Sequence, residues 1–276
     1  KIVAYDSMTL KKLSLGLLIC LMPFGAALAQ NASDIISVHI LTGARITPEQ
    51  HISALHLKLK PGWKTYWRAP GEAGIPPGFN WEGSKNIRTV DVLWPRPIVF
   101  HQYGMRSIGY KNEIILPLAI QPGTPGGKID LKGQISLGIC QDICIPHTVK
   151  FSTTLQANQT VLDPKIKNAL RQLPKTARTA GLRARRCTFL PAQSGLMLKV
   201  TLDMPSTGAP EHAVIETNNP FVWADPPTVS RAGNILSLKT LLTHSAGQPF
   251  SVTRDSVRIT VLGSDGAVDI NGCNNG

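Results

Sequence analysis

Along most of the chain hydrophobic and polar residues alternate with a period of two, the pattern of a strand with one buried face. Leu55, Leu57 and Leu59 alternate with His56, Lys58 and Lys60. Pro61-Gly62 then turns the chain, and Trp63, Thr65 and Trp67 alternate with Lys64, Tyr66 and Arg68. Residues 69–83 contain Pro70, Gly71, Gly74, Pro76, Pro77, Gly78 and Gly83 and read as irregular. Val90, Val92 and Trp94 form another strand, closed by Pro95 and Pro97, and residues 113–120 a further one. Pro117 inside the latter argues for an edge or a bulge. Short strands and turns at this spacing predict a β-sandwich.

The period changes once. Asp163 is a good N-cap and Pro164 a good first helical residue. Ile166, Ala169, Leu170 and Leu173 follow helical spacing until Pro174 stops it. The pattern predicts a short helix packed between domains, with residues 175–186 as linker. Strands then resume: Leu196, Leu198, Val200 and Leu202 alternate, as do Leu236, Leu238 and Thr240, and Val257, Ile259 and Val261. The expected organisation is all-β. Upstream residues and a signal peptide occupy 1–29, a first sandwich 30–160, helix and linker 161–186, and a second sandwich 187–276.

The stretch 133–147 holds the candidate chemistry. Ile129, Leu131, Gly133, Ile135, Leu137 and Ile139 alternate with Asp130, Lys132, Gln134, Ser136 and Gly138. Cys140 falls on the polar parity, so its sulfur is expected to point outward. After three residues Cys144 opens a second run, in which Val149, Phe151 and Thr153 alternate with Lys150 and Ser152. Cysteines flanking such a turn can face each other at about 4.5–5.5 Å between Cα atoms, within disulfide reach. A bridge across so short a loop removes little chain entropy. The turn also lacks the glycine a left-handed position favours, which points to a strained, exchangeable bond. From the residues alone three readings stay open: a redox-active pair, a structural hairpin bridge, or part of a metal site with His147. Zinc sites use cysteines at this spacing, but the chain has no second close pair of ligands.

A chain of 276 residues can bury two cores. Its net charge of +12 is spread along the chain, with one local cluster at Arg183, Arg185 and Arg186. No basic face interleaved with aromatics appears, which argues against nucleic acid as a partner. Lys11-Lys12, an apolar run from Leu13 to Phe24 and Ala27-Leu28-Ala29 read as a cleaved signal peptide. Met8 is the expected initiator and Gln30 the approximate mature start. Ile19 before Cys20 argues against a lipoprotein. No later apolar run approaches the ~18 residues of a membrane helix. The mature chain is expected to be exported into a compartment where disulfides persist. Cys187 and Cys273 bracket the second strand-rich region. A structural disulfide between them would contribute about 4 kcal/mol in the chain-entropy model.

Four motifs carry a resemblance. They are Gly62-Trp63-Lys64-Thr65-Tyr66-Trp67-Arg68-Ala69-Pro70-Gly71-Glu72-Ala73-Gly74-Ile75-Pro76-Pro77, Leu93-Trp94-Pro95, Ile108-Gly109-Tyr110, and Gly138-Ile139-Cys140-Gln141-Asp142-Ile143-Cys144-Ile145-Pro146. In this order they resemble the periplasmic N-terminal region of the DsbD/ScsB thiol:disulfide interchange (protein-disulfide reductase) family, over most of residues 35–155. The two-domain layout is similar to the ScsB branch. The resemblance implies immunoglobulin-like sandwiches and no cofactor or metal. It also implies a Cys140/Cys144 pair relaying electrons from a membrane-embedded DsbD/ScsB-type donor to periplasmic thioredoxin-like proteins. Tyr103-Gly104 matches the end of the loop that caps the pair.

The chain departs from the family where better-known members place acidic residues and a Phe before that Tyr-Gly. Here stand Phe100-His101-Gln102. His101 or His147 therefore becomes the candidate for proton transfer, since an imidazole ordinarily titrates near pH ~6.5, and Phe100 or Tyr103 the candidate shield. Lys150 and a protonated histidine would favour a thiolate and Asp142 oppose it. Pro146 is expected to restrict approach to Cys144. The sequence shows no membrane segment or thioredoxin-like part after the second sandwich, so a separate membrane protein supplies electrons or the frame is truncated. Two other functions stay open: a redox-inert periplasmic interaction module, and a copper-tolerance protein. The latter has only Met105, Met197 and Met204 beyond the signal region and no Met- or His-rich tract.

Overall fold

Ten strands follow a one-turn helix α1 (Ala32–Ile35): β1 (Ile36–Thr47), β2 (Gln50–Leu59), β3 (Lys64–Gly71), β4 (Gly78–Asn80), β5 (Thr89–Val92), β6 (Ile98–Gln102), β7 (Met105–Lys111), β8 (Glu113–Gln121), β9 (Ile129–Cys140) and β10 (Cys144–Leu155). They belong to a computed structural model that describes residues 32–102 and 104–275; the expected signal peptide and Tyr103 lie outside the described residues. One sheet has the order β1-β2-β8-β5, the other β10-β9-β3-β7-β6, with β4 added on β9. Leu55, Leu57, Trp67, Leu118, Ile129 and Ile135 fill the core between them. The apolar parity read along these strands is what turns each of them inward.

Helix α2 (Pro164–Arg171) follows, and Asp163 caps it by accepting a 2.7 Å hydrogen bond from the Lys165 amide. Ten more strands complete the fold: β11 (Lys175–Thr176), β12 (Ala184–Ala192), β13 (Gly195–Asp203), β14 (His212–Glu216), β15 (Val222–Ala224), β16 (Thr228–Ala232), β17 (Ile235–His244), β18 (Arg258–Leu262), β19 (Ala267–Asn271) and β20 (Asn274–Asn275). Their sheets run β11-β19-β18-β14 and β15-β17-β13-β12-β20, with β16 on β17. A second core, including Leu198, Val200, Leu236, Ile259 and Ile270, lies between these sheets. The described residues are all-β apart from short helices. Among the described residues no helix is long and apolar enough to cross a membrane.

Three details differ from the pattern reading. Helix α2 lies on the outer face of the first sandwich, where Ile166 packs with Ile52, Ala54 and Ala119. That contact covers both faces of β2, so His56 on the polar parity is buried and pairs with Glu113. Strand β8 is interior, between β2 and β5, despite Pro117. The last pair with β5 is Val92–Leu118. The Pro117 carbonyl on that side accepts from the Leu93 amide at 2.8 Å, so the missing N–H falls where the ladder has already ended.

The two sandwiches share a contact face. Val214, Leu262 and Ala267 of the second join the core cluster of the first. At its centre the Arg68 guanidinium donates to both Glu216 carboxylate oxygens, at 3.1 and 2.9 Å, and to Thr260 Oγ1 at 3.0 Å. It also stacks 3.9 Å over the Trp67 ring. Arg96, just before β6, donates to the Ser264 carbonyl at 3.0 Å.

Candidate functional site: the Cys140–Cys144 hairpin

Strands β9 and β10 pair without a bulge from Ile129–Leu155 to Cys140–Cys144. The register brings the two cysteine Cα atoms to 4.2 Å, and the sulfurs are bonded. Gln141, Asp142 and Ile143 close the turn, with the Gln141 amide donating to the Ile143 carbonyl at 3.2 Å. None of the three has a positive φ. A glycine is therefore not required there, and the strain expected from its absence has no basis in the turn.

Across the sheet the cysteines belong to a row of four residues in register. Cys144 faces Cys140, Cys140 faces Lys64 on β3, and Lys64 faces Lys111 on β7. Directly paired residues share a sheet face, so the two cysteines and the two lysines lie in one row on the same face. Tyr66, two residues beyond Lys64, sits on the same face. Its hydroxyl lies 3.1 Å from Cys144 Sγ and donates to the Ala73 carbonyl at 3.2 Å.

Cys140 does have outer parity, yet it is only 1% exposed. Cys140 thus lies on the outward face as its parity predicts, but it does not meet solvent, because this part of the outer face is covered. Lys64 and Tyr66 are themselves buried there, and the 70–77 loop folds back over the sheet. Ile75 of that loop sits so close that a Cβ on Gly138 would meet it at 2.9 Å. Cys144 on the neighbouring strand is exposed. The exposed cysteine is thus the one expected to be hindered by Pro146, and Pro146 is itself exposed.

A cavity of about 430 Å³ adjoins the row, lined by Lys64, Phe100, His101, Gln102, Lys111 and Asp142 among others. The Phe100 ring is buried, with the Lys64 and Lys111 ammoniums each 5.2 Å from its centroid. Lys64 Nζ donates to Gln102 Oε1 at 2.7 Å. Burial, and then repulsion from Lys111, hold the Lys64 ammonium below the usual lysine range. Burial pushes the Tyr66 phenol up, so it remains a proton donor.

The remaining candidates separate clearly. His101 lines the cavity, and its ring centroid lies 5.8 Å from that of His212 in the second sandwich. His147 faces Leu137 and shares the parity of the core-facing Ile145 and Val149, on the opposite face from Cys144. Lys150 shares the face of Cys144 but stands six residues along the strand, roughly 20 Å away. The cations in the cysteines' row are Lys64 and Lys111, which residue spacing alone did not single out. The only local signal was that Lys64 and Tyr66 share the polar parity of β3. Tyr103 lies outside the described residues.

The second disulfide, Cys187–Cys273, has a Cα separation of 5.7 Å. Its cysteines are 0% and 6% exposed and belong to the second core.

Residues 37–156 match the family model described as thiol:disulfide interchange protein DsbD, N-terminal. The crystal structure of the N-terminal periplasmic domain of ScsB from Proteus mirabilis matches the fold with a TM-score of 0.68 and 21% sequence identity, covering 90% of this chain and 97% of that one. No curated protein sequence matches significantly. The sandwich that carries Cys140 and Cys144 thus matches the DsbD N-terminal family, a thiol:disulfide interchange module, and the chain shares the fold of the ScsB domain.

Proposed function

We propose that this chain is a periplasmic relay for reducing equivalents. Cys140 and Cys144 take electrons from a membrane-embedded DsbD/ScsB-type donor and pass them to thioredoxin-like periplasmic proteins. The observation that carries the reading is the asymmetry of the pair, one cysteine buried and the other an exposed residue. An incoming sulfur can reach only Cys144, so Cys144 is the attacking cysteine and Cys140 resolves.

In the dithiol form the Cys144 thiolate attacks one sulfur of the partner's disulfide. A Cys144–partner bond forms, and the partner's other sulfur leaves as a thiolate and takes up a proton. The Cys140 thiolate then attacks Cys144 Sγ and expels the partner's first sulfur, which is protonated in turn. The partner gains two electrons and two protons, and the Cys140–Cys144 bond is restored. Recharging reverses the sequence: a donor thiolate attacks Cys144, and Cys140 leaves as a buried thiolate. The neighbouring Lys64 ammonium stabilises that thiolate. The Tyr66 hydroxyl, 3.1 Å from Cys144 Sγ, turns its one proton from the Ala73 carbonyl to the charge that develops on Cys144. His101, on the cavity wall, is the imidazole positioned to exchange protons with solvent.

The test is a redox titration with alkylation and mass readout, beside capture from periplasmic extract. The potential of the Cys140–Cys144 pair is expected above about −300 mV, the region of inert structural bridges. Cys140→Ser should accumulate a mixed disulfide with a thioredoxin-like protein and Cys144→Ser should not. Intact mass of the exported chain should place its N-terminus within a residue or two of Gln30. A pair that stays oxidised throughout, with neither variant trapping a partner, would overturn the reading in favour of an inert interaction module.

A further inference from the structure

The row Cys144–Cys140–Lys64–Lys111 ends on two cations with no anion. None of the ion pairs among the described residues uses Lys64 or Lys111. Lys64 is only 8% exposed, and one hydrogen bond, to Gln102, accounts for one of its three N–H donors. The Phe100 face shared with Lys111 supplies a weak cation–π contact. A buried ammonium so poorly compensated is costly on its own. A second ammonium beside it raises the cost, and a carboxylate between the two would relieve both. Asp142 stands on the exposed turn at the cavity's edge and pairs with neither. The space is present: the cavity bounded by Lys64, Phe100 and Lys111 measures about 430 Å³.

We propose that this cavity is a carboxylate-recognition subsite of the redox centre, which takes an acidic side chain flanking the disulfide of a partner protein. The proposal rests on the relay reading above and adds the chemistry by which a partner is chosen. Strands are spaced about 4.8 Å apart, so Lys64 lies roughly 10 Å across the sheet from Cys144. A Glu side chain two residues from the partner's attacked cysteine spans that distance. The partner's disulfide then meets the exposed Cys144 sulfur while its carboxylate sits between the two ammoniums.

The recognition can be separated from any effect on the thiolate. Symmetrical disulfides of short acetylated and amidated peptides would carry Glu, Gln or Lys at one position, two residues before cysteine. Each is reduced by the dithiol form of the protein in the same reaction, one peptide disulfide giving two peptide thiols and the Cys140–Cys144 bond. At low ionic strength the Glu peptide should react about fivefold faster than the Gln peptide, the scale of one solvent-accessible ion pair, and the Lys peptide slowest. High salt should compress the order. Lys111→Gln, at an exposed position, should bring the Glu/Gln ratio close to one, as should Lys64→Gln if that buried change is tolerated. Equal rates for the three peptides with the unaltered protein would overturn the subsite and leave the relay standing. So would variants that slow all three alike with the ratio intact, since the lysines would then act on the thiolate alone. Failure to reduce any of the three would overturn the relay and the subsite together.

Discussion

Cys140–Cys144 closes a three-residue turn and leaves Cys144 exposed, with a tyrosine hydroxyl against its sulfur and two lysines in the same cross-strand row. Cys187–Cys273 spans 86 residues and buries both sulfurs among Leu198, Val200, Ile259 and Ile270. In the chain-entropy model the first loop contributes about 2 kcal/mol and the second about 4.5 kcal/mol. The same covalent bond thus serves two purposes. Loop length sets its worth as a staple, and access with neighbouring charge sets its worth as a reagent. A bridge of little value to stability can open and close in a folded protein without endangering it.

The largest expected effect tests that division directly. Replacing both Cys187 and Cys273 with Ser should cost about 4.5 kcal/mol in urea unfolding under oxidising conditions, against about 2 kcal/mol for the same change at Cys140 and Cys144. Equal losses, or the reverse order, would break the comparison.

Next in size is the contact between the sandwiches. Arg68→Ala leaves the Glu216 carboxylate without its hydrogen-bonded partner at a largely closed interface. It should cost about 3 kcal/mol, the low end for breaking a buried ion pair. Arg68→Met combined with Glu216→Leu should recover most of that loss. A cost below about 1 kcal/mol for Arg68→Ala would mean that water already reaches the pair.

The smallest effect separates the two halves by their response to acid. In the second sandwich burial pushes the Glu211 carboxyl up, but hydrogen bonds from Arg231 and from the Thr207 amide and hydroxyl bring it net below the usual carboxylate range. A depressed carboxyl stabilises the fold above its unfolded pKa of about 4.3 and loses that contribution as pH falls through its folded value. Unfolding free energy should therefore drop as pH falls below about 5, with Glu211 among the groups responsible. In the first sandwich Glu113 is likewise held down, by its hydrogen bond to His56, but its side chain is 51% exposed and its share is smaller. Glu211→Gln should flatten the acid limb more than Glu113→Gln. The opposite ranking would show that exposure does not control the acid response here.

The strands with strict alternation were legible because each records one buried face, as in β9 and β13. Positions covered on both faces misled. His56 looked like solvent parity until α2 covered β2, and Cys140 looked accessible until the 70–77 loop covered β9. The placement of α2 was not legible either, since Ile166 and Ala169 define an apolar stripe but not the sheet that receives it. Lys150, close to Cys144 in sequence, proved distant, whereas Lys64 and Lys111 proved near.

By itself the sequence determined what depends on neighbours along the chain. Period two made the strands, Asp163-Pro164 started the helix, and the spacing of Cys140 and Cys144 around a short turn set them opposite each other. Tertiary structure decided which sulfur meets solvent, which cations stand beside the pair, and which face of the sheet carries Tyr66 against Cys144. The physical reason is that alternation assigns a side chain to a face of its sheet, while the covering of that face comes from β3, β6, β7 and the 70–77 loop. Those segments reach the cysteines only when strands distant in the chain have paired.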